Sequence, residues 1–113
     1  TLTLDNIQFP PDSSLLVPTE KEKLDRIGTI LSKYADRDIL ITGHTALAGT
    51  AEGRQKLSED RAAAVGEYRL RKNIRSKDRM SYRGLGAEVP VAENTSESGR
   101  AKNRRVEITI LEN

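Results

Sequence analysis

Hydrophobic and polar positions alternate along this chain with two different periods. Leu2, Leu4, Ile7 and Phe9 alternate roughly with polar residues up to Pro10-Pro11, which predicts a strand closed by two residues that cannot donate ladder hydrogen bonds. A turn through Asp12-Ser13-Ser14 follows. Leu24, Ile27, Ile30, Leu31 and Tyr34 then recur at helical spacing, and Thr19 stands three residues before Glu22 as a capping box. A helix is therefore expected from about Pro18 to Ala35. Asp38 introduces Ile39-Leu40-Ile41-Thr42, a short β-branched run that stops at Gly43 and reads as a buried strand, with Gly43 to Thr50 as loop.

From Ala51 to about Lys72 there is no proline, and Leu57, Ala64, Val65 and Tyr68 lie on one side of a predicted helix. Arg61 falls only about 40° from Leu57 on that helix. An Arg inside an apolar stripe needs a partner, and the residues alone suggest a snorkelling stem whose head meets a structural carboxylate. Arg54 lies on the same face two turns earlier. Met80 to Leu85 reads as a third strand, and a loop through Pro90 and Asn94 leads to a short helix over Glu97 to Asn103. The last strand is Arg105 to Leu111, with Val106, Ile108 and Ile110 on one face and Glu107, Thr109 and Leu111 on the other. The order β-α-β-α-β-(short α)-β predicts an α/β (α+β) two-layer sandwich. Its four-stranded mixed sheet carries two main helices and a short third on one face.

The chain has 113 residues, 35% of them hydrophobic but only four aromatic (three Tyr, one Phe), so one domain over residues 1–113 with a single aliphatic core is expected. No apolar run approaches the length that spans a bilayer. There is no Cys, hence no disulfide framework, thiolate metal site or catalytic thiol. Thr1 already begins the alternating pattern, without an initiator Met or a leader, so the segment reads as a piece excised from a longer chain. The net charge is +2, yet Arg69 to Arg83 holds seven basic residues against Asp78 alone. Such a stripe could attract nucleic acid, but single-strand and RNA readers need rings on which bases stack. A solvated helix face, or attraction to an anionic surface, fits four aromatics better, and no nucleic-acid partner is expected.

Candidate chemistry is sparse. Gly84-Leu85-Gly86 lacks a third glycine and precedes Pro90 rather than a helix, so it reads as a turn. His44 is the only histidine and has no Cys or spaced acidic pair beside it; a hydrogen bond within its loop is expected rather than a metal. Ser58 and Asp60 stand two apart on a helix and do not face each other, so no triad forms with His44. Asn94-Thr95-Ser96 is a formal glycosylation acceptor, relevant only in a glycosylating compartment. No catalytic set, metal or cofactor is expected, and the chain does not read as an enzyme.

Ile41-Thr42-Gly43-His44-Thr45, continued by Leu57-Ser58-x-x-Arg61-Ala62-x-x-Val65, resembles the OmpA-like C-terminal domain. That family includes peptidoglycan-associated lipoprotein and the flagellar stator's B subunit. Gly84-x-Gly86, Pro90, Asn94, Gly99-Arg100 and Asn103-Arg104-Arg105-Val106-Glu107-Ile108 follow the same pattern in order. The resemblance runs from Phe9 to Ile110. It implies a periplasmic domain that grips the peptidoglycan stem peptide non-covalently at meso-diaminopimelate, tethered to the outer membrane through other parts of its parent chain. In that family an Asp after Gly-His-Thr, together with the Arg of the following helix, holds the diaminopimelate. A zwitterionic end needs one anion for its ammonium and one fork-shaped cation for its carboxylate. Carried onto this chain, the implied ligand-binding positions are Asp12, Thr45, Ala46, Leu47, Arg54, Arg61 and Arg104.

The resemblance also marks departures. Position 46 is Ala, which offers no acceptor, and the family's Asn on the same helix aligns with Arg54, which adds a positive charge. The usual Phe-Asp at the end of the first strand is Phe9-Pro10. The expectation is a retained fold with a degenerate pocket and weak or lost binding of ordinary diaminopimelate peptidoglycan. Altered stem-peptide specificity is the first alternative. A docking module for other domains of the parent chain or for envelope proteins is the second.

Overall fold

The first alternating stretch forms its strand in two pieces, β1 (Leu2–Thr3) and β2 (Ile7–Gln8), in a computed structural model that describes residues 2–4, 6–34, 36–70 and 79–111. Both run antiparallel to β5 (Arg105–Ile110), pairing Leu2 with Ile110 and Ile7 with Val106. Between them the Leu4 amide donates to the Ile108 oxygen at 2.9 Å. On the other side of β5 lies antiparallel β3 (Ile39–Gly43), which in turn pairs parallel with β4 (Met80–Gly84). The sheet is thus the expected mixed one, with four strand positions of which the first is divided.

One face of the sheet carries Ile39, Ile41, Val106, Ile108 and Ile110. Leu24, Ile27 and Leu31 of α1 (Pro18–Leu31) and Ala62 and Val65 of α2 (Ala51–Val65) pack on it together with Ile7, Phe9 and Met80. Burial of these aliphatic surfaces is the main force holding the two layers together. The short α3 (Glu97–Asn103) contributes no side chain to this core.

α1 starts without the expected capping box. Val17 is the N-cap, its side chain makes no capping bond, and Pro18 opens the helix. Proline at the first helical position lacks only an N–H that would be unpaired anyway, and its φ is already helical. The first turn is anchored instead by buried Glu20, whose Oε1 accepts from the Gln8 amide at 2.7 Å. α1 ends at Leu31 and a 3₁₀ turn, Ser32–Tyr34, follows, so the helix is shorter than the pattern suggests and Ile30 is 39% exposed. Ala35 lies outside the described residues.

The buried face of α2 is Ser58, Arg61, Ala62 and Val65, not a face centred on Leu57. Its backbone approaches β3 so closely that a Cβ on Gly43 would lie 1.8 Å from the Ser58 main-chain oxygen. Only small side chains at 58 and 62 allow that approach, which is why a mean apolar period misplaced the face by one residue. The helix passes at Val65 into a π-helical turn, Gly66–Leu70. Residues 71–78, which hold most of the basic stretch, lie outside the described residues; Arg79 beyond them pairs with Asp38 at 2.9 Å.

Candidate functional site

The helices begin where the sheet's loops gather. Thr50 caps α2, its Oγ1 accepting from the Gly53 amide at 3.0 Å, and Ser96 caps α3 in the same way from the Gly99 amide. Between these two starts, the loop after β3 and the Pro10–Ser13 turn lies a cavity of about 400 Å³. Asp12, Thr45, Ala46, Arg54, Arg61 and Arg104 all line it, so six of the seven expected positions converge. Leu47 does not. It is exposed and borders a separate hollow of about 160 Å³ that also touches Arg54. Glu97 and Arg100 line the main cavity although the sequence marked them only as a helix start and part of a fold motif.

Arg61 departs most from expectation. Among the described residues its head meets no carboxylate. Nε donates to the Ser13 oxygen at 2.8 Å, Nη1 to the His44 oxygen at 3.0 Å and Nη2 to the Pro10 oxygen at 3.0 Å. The guanidinium also sits 5.4 Å from the Phe9 ring centre, and the residue has 0% exposure. Burial, and then the charge of Arg104, pull its pKa down to about 10, while Asp12 opposes the shift. Arg61 is a buried pillar that binds three main-chain segments together.

Arg104 is similarly engaged. Nε donates to the Phe9 oxygen at 3.0 Å, and its two Nη atoms reach Glu97 at 2.7 and 3.4 Å. The Arg104 bond holds the Glu97 carboxyl below the usual carboxylate range. Arg100 adds a contact to Glu97 at 3.5 Å and donates to the Asn94 oxygen. Ala46 is buried and contributes a methyl group to the cavity wall.

His44 lies behind the site. Its amide donates to the Arg105 oxygen at 2.8 Å and its oxygen accepts from Arg61, but the ring is 2% exposed and makes no hydrogen bond within its loop. Nε2 is 3.6 Å from Glu107, too long for a hydrogen bond. Burial and the Arg105 charge lower its pKa, with Glu107 opposing, so the ring is neutral at pH 7. Arg105 is itself buried on the sheet's outer face, paired with Glu107 and donating to the Val89 oxygen. That face is drier at this end than the alternation of β5 suggested.

Comparison with known proteins places this geometry. Residues 8–104 match the OmpA family. The chain is 36% identical over 104 residues to "Peptidoglycan-binding protein ArfA" of Mycobacterium tuberculosis, covering 92% of this chain and 32% of that protein. It is 38% identical over 103 residues to "Outer membrane protein A" of Bordetella avium, covering 91% and 53%. Among solved structures, the peptidoglycan-associated lipoprotein from Burkholderia pseudomallei superposes with a TM-score of 0.80 at 29% identity, over 94% of this chain and 89% of that one. The chain thus spans about a third to a half of the length of these two curated relatives. With residues 8–104 matching the family model and a mixed sheet carrying the helices, this chain belongs to the OmpA family.

Proposed function

We propose that this chain is a non-enzymatic, periplasmic module that binds peptidoglycan non-covalently through the cavity, and that its hold on the ordinary meso-diaminopimelate stem peptide is weak. Family membership and the peptidoglycan-binding relative support the first part. Those relatives carry the matching segment within longer chains, which supports a wall-anchoring role for one domain of an outer-membrane-tethered protein.

The observation that carries the weakness is the buried Ala46 methyl in the cavity wall, where the resemblance implies an Asp. Losing a charge-assisted hydrogen bond to the ligand's ammonium costs about 1.5–3 kcal/mol, or roughly 10- to 150-fold in affinity. Arg54 adds like charge on the same side.

Co-sedimentation with meso-diaminopimelate sacculi tests this. Native protein is titrated beside Ala46→Asp and the double variant Ala46→Asp with Arg54→Asn. The double variant should bind at least about tenfold tighter than the native chain; equal affinity of the two would overturn the weak-site reading.

A further inference from the structure

Away from the cavity, α2 carries a line of further hollows. Ala51, Gln55 and Glu59 are spaced four apart and share one side of the helix. Arg54 lines both the cavity and the hollow of about 160 Å³ beside it, and Gln55 lines both that hollow and a third of about 370 Å³. The three depressions follow one another along α2 from its first turn. From Ala51 to Glu59 the track runs for roughly 12 Å of helix, the length of an oligomer rather than of a single ring.

The third hollow lies between α2 and the edge strand β4, lined by Gln55, Glu59, Tyr82, Arg83 and Gly84. Two glycines shape it. A Cβ on Gly84 would lie 2.7 Å from the Glu59 amide nitrogen, so the missing side chain lets the helix close on the end of the strand. A Cβ on Gly66 would lie 2.3 Å from the Tyr82 hydroxyl, so the ring is seated against the backbone just past α2, yet Tyr82 stays 40% exposed. Gln55 Nε2 donates to the Gly84 oxygen at 2.7 Å and to Glu59 Oε2 at 2.9 Å, which holds both side chains beside the ring. Arg83 is exposed, and among the described residues its guanidinium has no hydrogen-bond or ion-pair partner.

These groups have the chemistry of a sugar site. A pyranose offers an apolar C–H face that packs on an aromatic ring, and an edge of hydroxyl and acetamido groups that both donate and accept. Tyr82 supplies the ring, Arg83 the donors and Glu59 the acceptors, and the opposite charges of Glu59 and Arg83 suit a neutral ligand. We propose that this hollow binds the amino-sugar strand of peptidoglycan, with Tyr82 as its stacking platform, while the cavity takes the stem peptide. This rests on the peptidoglycan-binding reading above. Two sites on one polymer raise each other's effective concentration, so the glycan contact adds hold to a chain whose grip on the stem peptide is weak.

Amide NMR titrations read the two sites apart, one with peptide-free glycan strands released from sacculi by an amidase, the other with free stem peptide ending in meso-diaminopimelate. Glycan should shift the amides of Gln55, Glu59 and Tyr82 to Gly84, and the peptide those of Thr45, Ala46 and Arg61. Tyr82→Leu and Arg83→Gln should each weaken glycan binding about fivefold and leave the peptide affinity unchanged, while Tyr82→Phe, which keeps the ring, should stay within about twofold of native. Because Arg83 is exposed, its variant reports on binding even where a thermal melt shows Tyr82→Leu to be destabilised. Glycan that shifts no amide at the hollow while the peptide shifts the cavity overturns the glycan site and leaves the peptidoglycan reading standing. Stem peptide that shifts the Tyr82 hollow in place of glycan also overturns it. If neither probe shifts any amide and native protein does not pellet with sacculi, the peptidoglycan reading falls, and the glycan site with it.

Discussion

Arg61 Nη1 donates to the main-chain oxygen of His44 at 3.0 Å, tying the middle of α2 to the first residue after β3. With its bonds to Pro10 and Ser13, one guanidinium holds together the turn before α1, the loop after β3 and the helix between cavity and core. The resemblance implies a ligand role for this Arg; in this chain each of its three nitrogens also donates to a main-chain oxygen.

Removing Arg61 should therefore damage the fold before it damages binding. Each buried oxygen left without a donor costs about 1–3 kcal/mol. Arg61→Met is expected to lose about 3 kcal/mol or more, lowering Tm by more than about 10 °C. Thermal melts in the absence of any ligand check this. An unchanged Tm would mean that the three carbonyl contacts contribute nothing. A failure of Arg61→Ala to bind sacculi says little about ligand contact until its stability is known.

The buried His44 ring should make the domain acid-sensitive. Its folded pKa is lowered, so between that value and 6.5 the unfolded chain binds more protons than the folded one. The contribution is complete above pH 6.5 and declines as pH falls below it, with a slope of at most about 1.4 kcal/mol per pH unit. Glu97 keeps its charge through this window because its pKa is lowered from the carboxylate value, so its own loss begins at lower pH. His44→Leu, which leaves no polar partner stranded, should flatten the urea midpoint between pH 7 and 5.5 relative to native. Parallel curves for the two proteins would refute the assignment.

Asn103 supports the site from behind. Its Oδ1 accepts from the Val91 and Ala92 amides at 2.8 and 3.2 Å. Its Nδ2 donates to the Ala92 oxygen at 3.0 Å and to Asn94 Oδ1 at 2.9 Å, and that atom also receives the Leu47 amide at 3.1 Å. Asn103→Ala should cost about 2 kcal/mol. It should also speed hydrogen exchange at Leu47, a position the substituted side chain never touches. Exchange at Leu47 matching the native rate would show that Asn94 holds its place unaided.

Much of the architecture was legible because it follows local rules. A β-branched run ending at a glycine placed Ile39–Gly43, alternation placed Arg105–Ile110, and the short helix expected after the Pro90–Asn94 loop is Glu97–Asn103. The face of α2 was misread because Ser58 and Ala62 owe their burial to Gly43 across the interface rather than to their own hydrophobicity. The capping box of α1 was misread because Thr19 and Glu22 have the right spacing while Pro18, one residue earlier, already starts the helix.

For the site the division is sharper. The chain's own residues determined its chemical inventory: an Arg at 61, no acceptor at 46, an extra cation at 54 and an acid at 12. Spacing along one strand or helix carries no information about contacts between segments distant in sequence. Only the tertiary structure decided that each Arg61 nitrogen donates to one of the Pro10, Ser13 and His44 oxygens, that Glu97 is claimed by Arg104, and that Asp12 and Arg54 line one cavity. A guanidinium's partners are whichever oxygens the packed core brings within 3 Å, and that is set by the fold as a whole.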